Sequence, residues 1–407
     1  MKKVILTTAL FLASVCTFAQ QKNVKDAKSI IDGTNPDFAK AEQLINAALN
    51  DPATKNDPET WNVAGLIQKK INTKEMEKAY LKKPCDSLKL YNSILNMYQY
   101  FVKCDELAQV PNEKGKIKNK YRKDITTMLL ADRPNLINGG IQSFNTGKNA
   151  DALKFFGTYI DSATYPMLLS ADLQKKDTIL SQVSYYATLA ANKVSDNAAV
   201  KKYAPLAFND KENGKFAMQL LADTYKQEKD SVQFLKLIQD GIAKYPDNQY
   251  FFANLIDYYA VRNQNDKAME FADQQLTKDP NNKLYVYVKA YLYHNMKQYD
   301  KAIPYYEKAI QLDPSYAEAY SNLGLVYLMK AQDLSDKLST NVNSPNFKKD
   351  QESIKALYEK AKPNYEKARQ LKPDSKDLWG QGLYRVYYYL KMGPQFEEME
   401  KIIGVKQ

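Results

Sequence analysis

With 407 residues, the chain is long enough for two or three ordinary domains. It holds one histidine, His294, and three cysteines, so a Ser–His–Asp or Cys–His triad, or a histidine-based metal cluster, would have to be built around that one imidazole. The formal net charge is +11, yet of the 58 basic residues only Arg122, Arg133, Arg262, Arg369 and Arg385 are arginine. That balance argues against nucleic acid, because phosphate and base recognition lean on the planar guanidinium fork.

Met1–Ala19 reads as an export leader. Lys2 and Lys3 supply the positive start, Val4–Ala13 the apolar run, and Thr17 and Ala19 the small residues at the cleavage positions. The mature chain then begins at Gln20 or Gln21, with a net charge near +9. The apolar run is too short to span a bilayer, and nothing later reaches ~18 apolar residues, so no transmembrane segment is expected. Cys16 raises a lipid-anchor reading, but Val15 stands where attachment needs a small residue. Ordinary cleavage and a periplasmic or outer-membrane-associated location are expected instead. The lysines are spread along the chain near acids, as in Lys301, Glu307 and Lys308, which suits a solvated helix face. A weak attraction for anionic polymers of the envelope is the charge-level effect that remains.

Ala41, Ile45 and Ala48, closed by Pro52, suggest the second helix of a hairpin, and Trp61 and Gly65 open the next. Residues 66–130 keep helical periodicity, as in the run LKLYNSILNMYQYF from Leu88. Read as one helix, Asp86–Val102 holds Cys85 and Cys104 about 28 Å apart at 1.5 Å per residue. A disulfide needs the Cα atoms within ~7 Å, so two free thiols, or pairing between molecules, are expected. Gly140, Ala152 and Phe156 mark another hairpin, and residues 170–214 are again helical in pattern. No alternation of apolar and polar residues persists long enough for a sheet.

From residue 215 the pattern becomes periodic, with Pro246, Pro280 and Pro314 spaced 34 residues apart. The first unit holds Met218, Leu221, Ala222 and Tyr225, with Phe234 and Gly241 further on; the second holds Phe252, Leu255, Tyr259 and Ala268, with Gln275 as a departure. In the clearest unit, Lys283–Tyr316, Val286, Ala290 and Tyr293 lie on one helix and Ala302, Tyr306 and Ala309 on the next. Such spacing makes one face of each helix apolar, and Pro314 ends the second. Tyr320, Leu323, Gly324 and Tyr327 begin another unit. Its second half, Ala361, Tyr365, Ala368 and Pro373, arrives 25 residues later than the period requires. The insertion lies around 331–357, and its middle, STNVNSPNFKKD from Ser339, has turn and loop chemistry. It is read as a solvent loop between lengthened helices.

These residues resemble the tetratricopeptide repeat (TPR), whose 34-residue pattern places aromatics at positions 4, 11 and 24, small residues at 8, 20 and 27, and Pro at 32. The resemblance is strong for about 215–373 and patchy elsewhere. It implies an all-α, right-handed helical-hairpin (TPR-like) solenoid, with 20–214 as degenerate hairpins and 215–407 as a well-formed array. The alternative for the first half is a separate helical domain. The resemblance further implies a non-catalytic scaffold for a protein or peptide partner, held in a concave groove lined by the first helix of each unit. The matching positions are Tyr250, Asn254, Asp257, Leu284, Tyr287, Tyr291, His294, Asn295, Ser321, Asn322 and Leu325. Some relatives clamp a peptide carboxylate with Lys and Asn at set places. Here those places hold Gln219, Asp223, Asn254, Leu284 and Val288, and only Asn254 fits, so that clamp is not expected.

His294 falls on the groove with no nucleophile motif near it, and no GxSxG, P-loop, GxGxxG or HExxH occurs. Glu397, Glu398 and Glu400 gather carboxylates on what reads as an exposed final helix. Neither enzyme activity, cofactor nor metal is expected. Two rival readings are an outer-membrane-associated carbohydrate- or nutrient-binding protein on TPR-like helices, and an enzyme in the degenerate half. Partner identity and oligomeric state are not fixed by the sequence.

Overall fold

A computed structural model describes residues 20–111, 113–338 and 342–404; the leader expected over 1–19 lies outside them. Among the described residues every regular element is helical and no strand occurs. The first helices are α1 (20–32), α2 (Phe38–Asn50), α3 (Pro58–Tyr80), α4 (Ser87–Leu107), α5 (Arg122–Asn145) and α6 (Asn149–Asp161). Two 3₁₀ turns, Ser162–Thr164 and Leu169–Ala171, and the short α7 (Leu173–Lys176) follow. Next come α8 (Leu180–Lys193), α9 (Asn197–Ala207), α10 (Gly214–Gln227), α11 (Ser231–Lys244), α12 (Gln249–Ala260) and α13 (Asn265–Lys278). The last are α14 (Lys283–Asn295), α15 (Tyr299–Leu312), α16 (Ala317–Ser335), α17 (Pro345–Leu371), α18 (Lys376–Tyr389) and α19 (Gly393–Ile403). Within each of two units, neighbouring helices joined by short turns pack on one another and successive pairs pack together, which makes an all-α, TPR-like helical-hairpin solenoid.

Contacts divide the chain into two units, one ending at Asp230 and one starting at Ser231. In the N-terminal unit Ala27, Ala41, Ile45, Val63 and Ile67 form one core, and Ile94, Phe101, Leu129, Phe156 and Ala187 belong to a second. In the C-terminal unit Ala290, Tyr306, Leu323, Tyr365, Leu383 and Met399 share a core.

The start of many helices is written in the sequence. Asp37, Asp57, Asp86, Asp196, Asn248 and Asn282 each accept a hydrogen bond from an amide in the first turn, which satisfies donors that the helix itself leaves open. The turn from first to second helix is built alike in both units. Lys82, Gly147, Ser195, Lys229, Asn263, Lys297 and Lys391 all have positive φ. In each case the following amide donates to the carbonyl five residues back, as from Gln298 to Tyr293 and from Lys148 to Ser143. This is the Schellman closure of a helix end.

Side-chain packing within the irregular N-terminal hairpins repeats one small-on-aromatic contact. A Cβ on Gly140 would come within 2.4 Å of the Phe156 ring, and one on Gly65 within 2.3 Å of Phe101. Gly65 and Phe101 therefore make the same contact between positions 8 and 24, but 36 residues apart rather than 16. The hairpin α3–α4 is a unit with both helices lengthened, which the sequence pattern over 66–130 did not reveal. An interior ion pair anchors the segment after α6. Arg133 bonds Asp177 at 2.5 Å, the Ser162 hydroxyl at 3.1 Å and the Tyr159 carbonyl at 3.0 Å, while the Tyr159 hydroxyl donates to Asp177 at 2.7 Å. Every buried donor of that guanidinium group shown here has an acceptor, as a buried charge requires.

The insertion departs from expectation in one respect. Residues 345–350, read as loop, are the first two turns of α17. The reason is local: Ser344 caps the helix by accepting from the Phe347 amide, and Pro345 sits at the first helical position, where its missing N–H costs nothing. Most of the extra length therefore extends α16 and α17. On the extended α17, Tyr358 stacks on Tyr389 with ring centroids 3.9 Å apart. The thiol expectation agrees with the structure: α4 separates the two cysteines, Cys85 is exposed, and Cys104 is buried.

Candidate functional site

The residues singled out for the groove fall on α12, α14 and α16, all within the C-terminal unit. On α14 the buried side chains are Leu284, Tyr285, Val286, Val288, Ala290 and Leu292, while Tyr287, Tyr291 and His294 are half-buried and Asn295 is exposed. The latter four recur at i, i+4, i+7 and i+8, which is one helix face. On α12 the equivalent face carries half-buried Tyr250 and Asn254 and exposed Asp257. On α16 it carries half-buried Ser321, Asn322 and Leu325. The pattern arises because the small and aromatic residues of each first helix are consumed by packing against neighbouring helices, leaving one stripe uncovered.

The stripe is not uniform. Leu284 is 5% exposed, covered where the first turn of α14 meets the preceding helices. The Ser321 hydroxyl donates to the Leu378 carbonyl, and the Asn322 amide donates to the Tyr287 hydroxyl. Those groups serve cohesion between successive units. Tyr287 also packs on Tyr316 and Tyr306, with centroids 4.9 and 5.7 Å away, and burial pushes its hydroxyl pKa well up. Asn254 bonds the Tyr250 carbonyl within its own helix at 3.0 Å. Asp257 and Asn295 are exposed, and Tyr291, His294 and Leu325 are half-buried.

His294 lies among the rings of Tyr299, Tyr291 and Tyr306, with centroids 6.0 to 6.4 Å away. Its Nδ1 is 3.4 Å from the Tyr306 hydroxyl. Burial lowers its pKa below the ordinary histidine value, so at neutral pH the ring is uncharged. Among the described residues no carboxylate bonds to it. The acids on the final helix are placed differently: Glu397 and Glu398 are exposed, and Glu398 pairs with Arg369 at 2.6 Å. An ion pair closes the hairpin of α14 and α15: Lys283 bonds Asp313 at 2.5 Å, and that bond, and then Ser315, hold the Asp313 carboxyl down to about 2.

Residues 290–330, which contain α15 and parts of α14 and α16, match the family model described as TPR repeat. That stretch is similar to a tetratricopeptide repeat. Solved structures similar to this chain include yeast Tom70, at 16% identity over 93% of this chain and 87% of that one, with a TM-score of 0.32. The TPR domain of P58(IPK) is 12% identical over 92% and 98% of the two chains, with a TM-score of 0.30. Human IFIT1, solved as a dimer with m7Gppp-AAAA, is 14% identical over 83% and 73%, with a TM-score of 0.41. No curated protein matches the chain. Among the described residues no helix is long and apolar enough to cross a membrane.

Proposed function

We propose that this TPR chain is a non-catalytic protein–protein interaction scaffold of a bacterial envelope, periplasmic or associated with the outer membrane. It takes an extended or helical segment of a partner protein across the uncovered face of α12, α14 and α16. One observation carries the reading: on three successive first helices the matching face keeps half-buried or exposed side chains, Tyr250, Asn254 and Asp257 on α12, Tyr291, His294 and Asn295 on α14, and Leu325 on α16. Tyr250, Tyr291 and Leu325 supply rigid apolar contact, and Asn295, Asp257 and His294 supply hydrogen-bonding capacity beside it. Export rests on the leader pattern of Met1–Ala19, and the positive charge of the mature chain supports weak association with anionic envelope polymers.

The test uses the full mature chain and a Tyr291→Ala/Asn295→Ala variant as baits in cross-linked native cells, with captured proteins quantified by mass spectrometry. Neither side chain is in the core, so both baits should melt alike. Specific proteins lost from the variant support the reading. Equal capture by both baits, or glycan binding or turnover by the purified protein without protein capture, sinks it.

A further inference from the structure

A second concave site lies in the N-terminal unit, on none of the helices that carry the groove positions. It is a cleft of about 760 Å³ between α4, the end of α5 and α6, within the ~300–1,000 Å³ range of ligand sites. Its origin is the lengthening of α4, which has 21 residues against 13 in α6. The cleft wall on α4 is split along its length. Leu88, Tyr91, Leu95 and Val102 form one edge, and Asn92, Asn96 and Gln99 form the other. Asn92 and Gln99 are exposed and make no hydrogen bond among the described residues, while Asn96 reaches the Gln68 amide at 3.4 Å.

We infer that this cleft binds an extended, mainly uncharged polypeptide segment. From Leu88 to Val102 the wall is about 21 Å long at 1.5 Å per residue, which accommodates about six extended residues at ~3.3 Å each. Along the helix the amides follow at about 6 and 4.5 Å, the first close to and the second shorter than the ~6.6 Å step at which one edge of an extended backbone repeats, a difference that the long amide side chains can span. A primary amide both donates and accepts, so the row matches backbone N–H and C=O groups without reading sequence. The apolar edge takes alternate side chains of the segment.

The same lining disfavours a sugar. Tyr91 meets Phe155 edge-on, at 6.3 Å and 83°, and Phe155 is buried, so these two rings offer no open pair of faces. Asp151, the one carboxylate lining the cleft, is paired with Lys154 at 3.1 Å. Lys148 adds one further positive charge at the rim, which tolerates an acid in the segment but disfavours a basic one.

The proposal is tested by selecting a phage-displayed library of random dodecapeptides on the full mature chain, with counter-selection against the Asn92→Leu/Asn96→Leu/Gln99→Leu variant. A second variant, Leu88→Asp, guards against misfolding. Leu88 is 61% exposed and lies in the first turn of α4, where an acid suits the helix dipole. Enriched peptides, once synthesised, should bind the parent and bind both variants about tenfold more weakly, the size of one lost hydrogen bond or contact. Failure to enrich any peptide, equal binding to parent and variants, or cleft occupancy by neutral glycans alone overturns it.

Discussion

Tyr365 is held from two sides by glycine. A Cβ on Gly324 would come within 2.8 Å of its ring, and one on Gly382 within 2.2 Å. Replacing Gly382 by Ala gains about 1 kcal/mol of helix propensity, but forcing a buried ring aside costs about 1–3 kcal/mol. Gly382→Ala is therefore expected to lower stability in chemical denaturation, whereas Gly393→Ala, with no atom in reach of its Cβ, is expected not to. His294 sets a pH dependence. Its folded pKa lies below that of the unfolded chain, so its contribution is intact above about 6.5 and is lost as pH falls from there toward the folded value. A His294→Gln variant should lose less stability between neutral pH and about pH 5 than the parent does; equal slopes would contradict that account. The two thiols should also separate. Burial pushes the Cys104 thiol up to about 12, while Cys85 is exposed, so alkylation of the native chain followed by peptide mapping should modify Cys85 and spare Cys104.

The recurrent element is the hairpin turn closed by a left-handed residue. Lys297 occupies that place with φ of 57°, a conformation that costs a side-chain-bearing residue about 1 kcal/mol. Lys297→Gly should accordingly raise unfolding stability by about 0.5–1 kcal/mol, read from denaturant midpoints, and Lys297→Val should lower it. At this scale the sequence was readable where spacing was regular. Pro246, Pro280 and Pro314 mark second-helix ends correctly, and the helix faces of α14 and α15 follow from their periodicity. It was unreadable where hairpins lengthen, because Gly65 and Phe101 meet only once α3 and α4 are folded back on each other. The helical start at Ser344–Pro345 was also legible in principle, as a serine cap followed by proline, but the surrounding Asn-rich run masked it.

For the molecule as a whole, the sequence pattern ranked the α12, α14 and α16 positions by repeat number, and tertiary packing then sorted them. Leu284, Ser321, Asn322 and Tyr287 are drawn into contacts with neighbouring helices, an outcome no single-helix periodicity records, while Asn295 stays exposed and Tyr291 and His294 half-buried. The amide-lined cleft beside α4 was not singled out at all, although Asn92, Asn96 and Gln99 stand at helical spacing, because a cleft exists only relative to α5 and α6. The central claim is that the chain works by holding a partner protein on the uncovered face of the C-terminal unit. Site-specific photo-cross-linking in native cells tests it most directly, with a benzophenone side chain placed at Asn295 and, as a control, at exposed Glu307 on the neighbouring second helix. The account predicts a discrete cross-linked protein from position 295 and none of it from 307. No adduct at 295, or the same adducts from both positions, would contradict it.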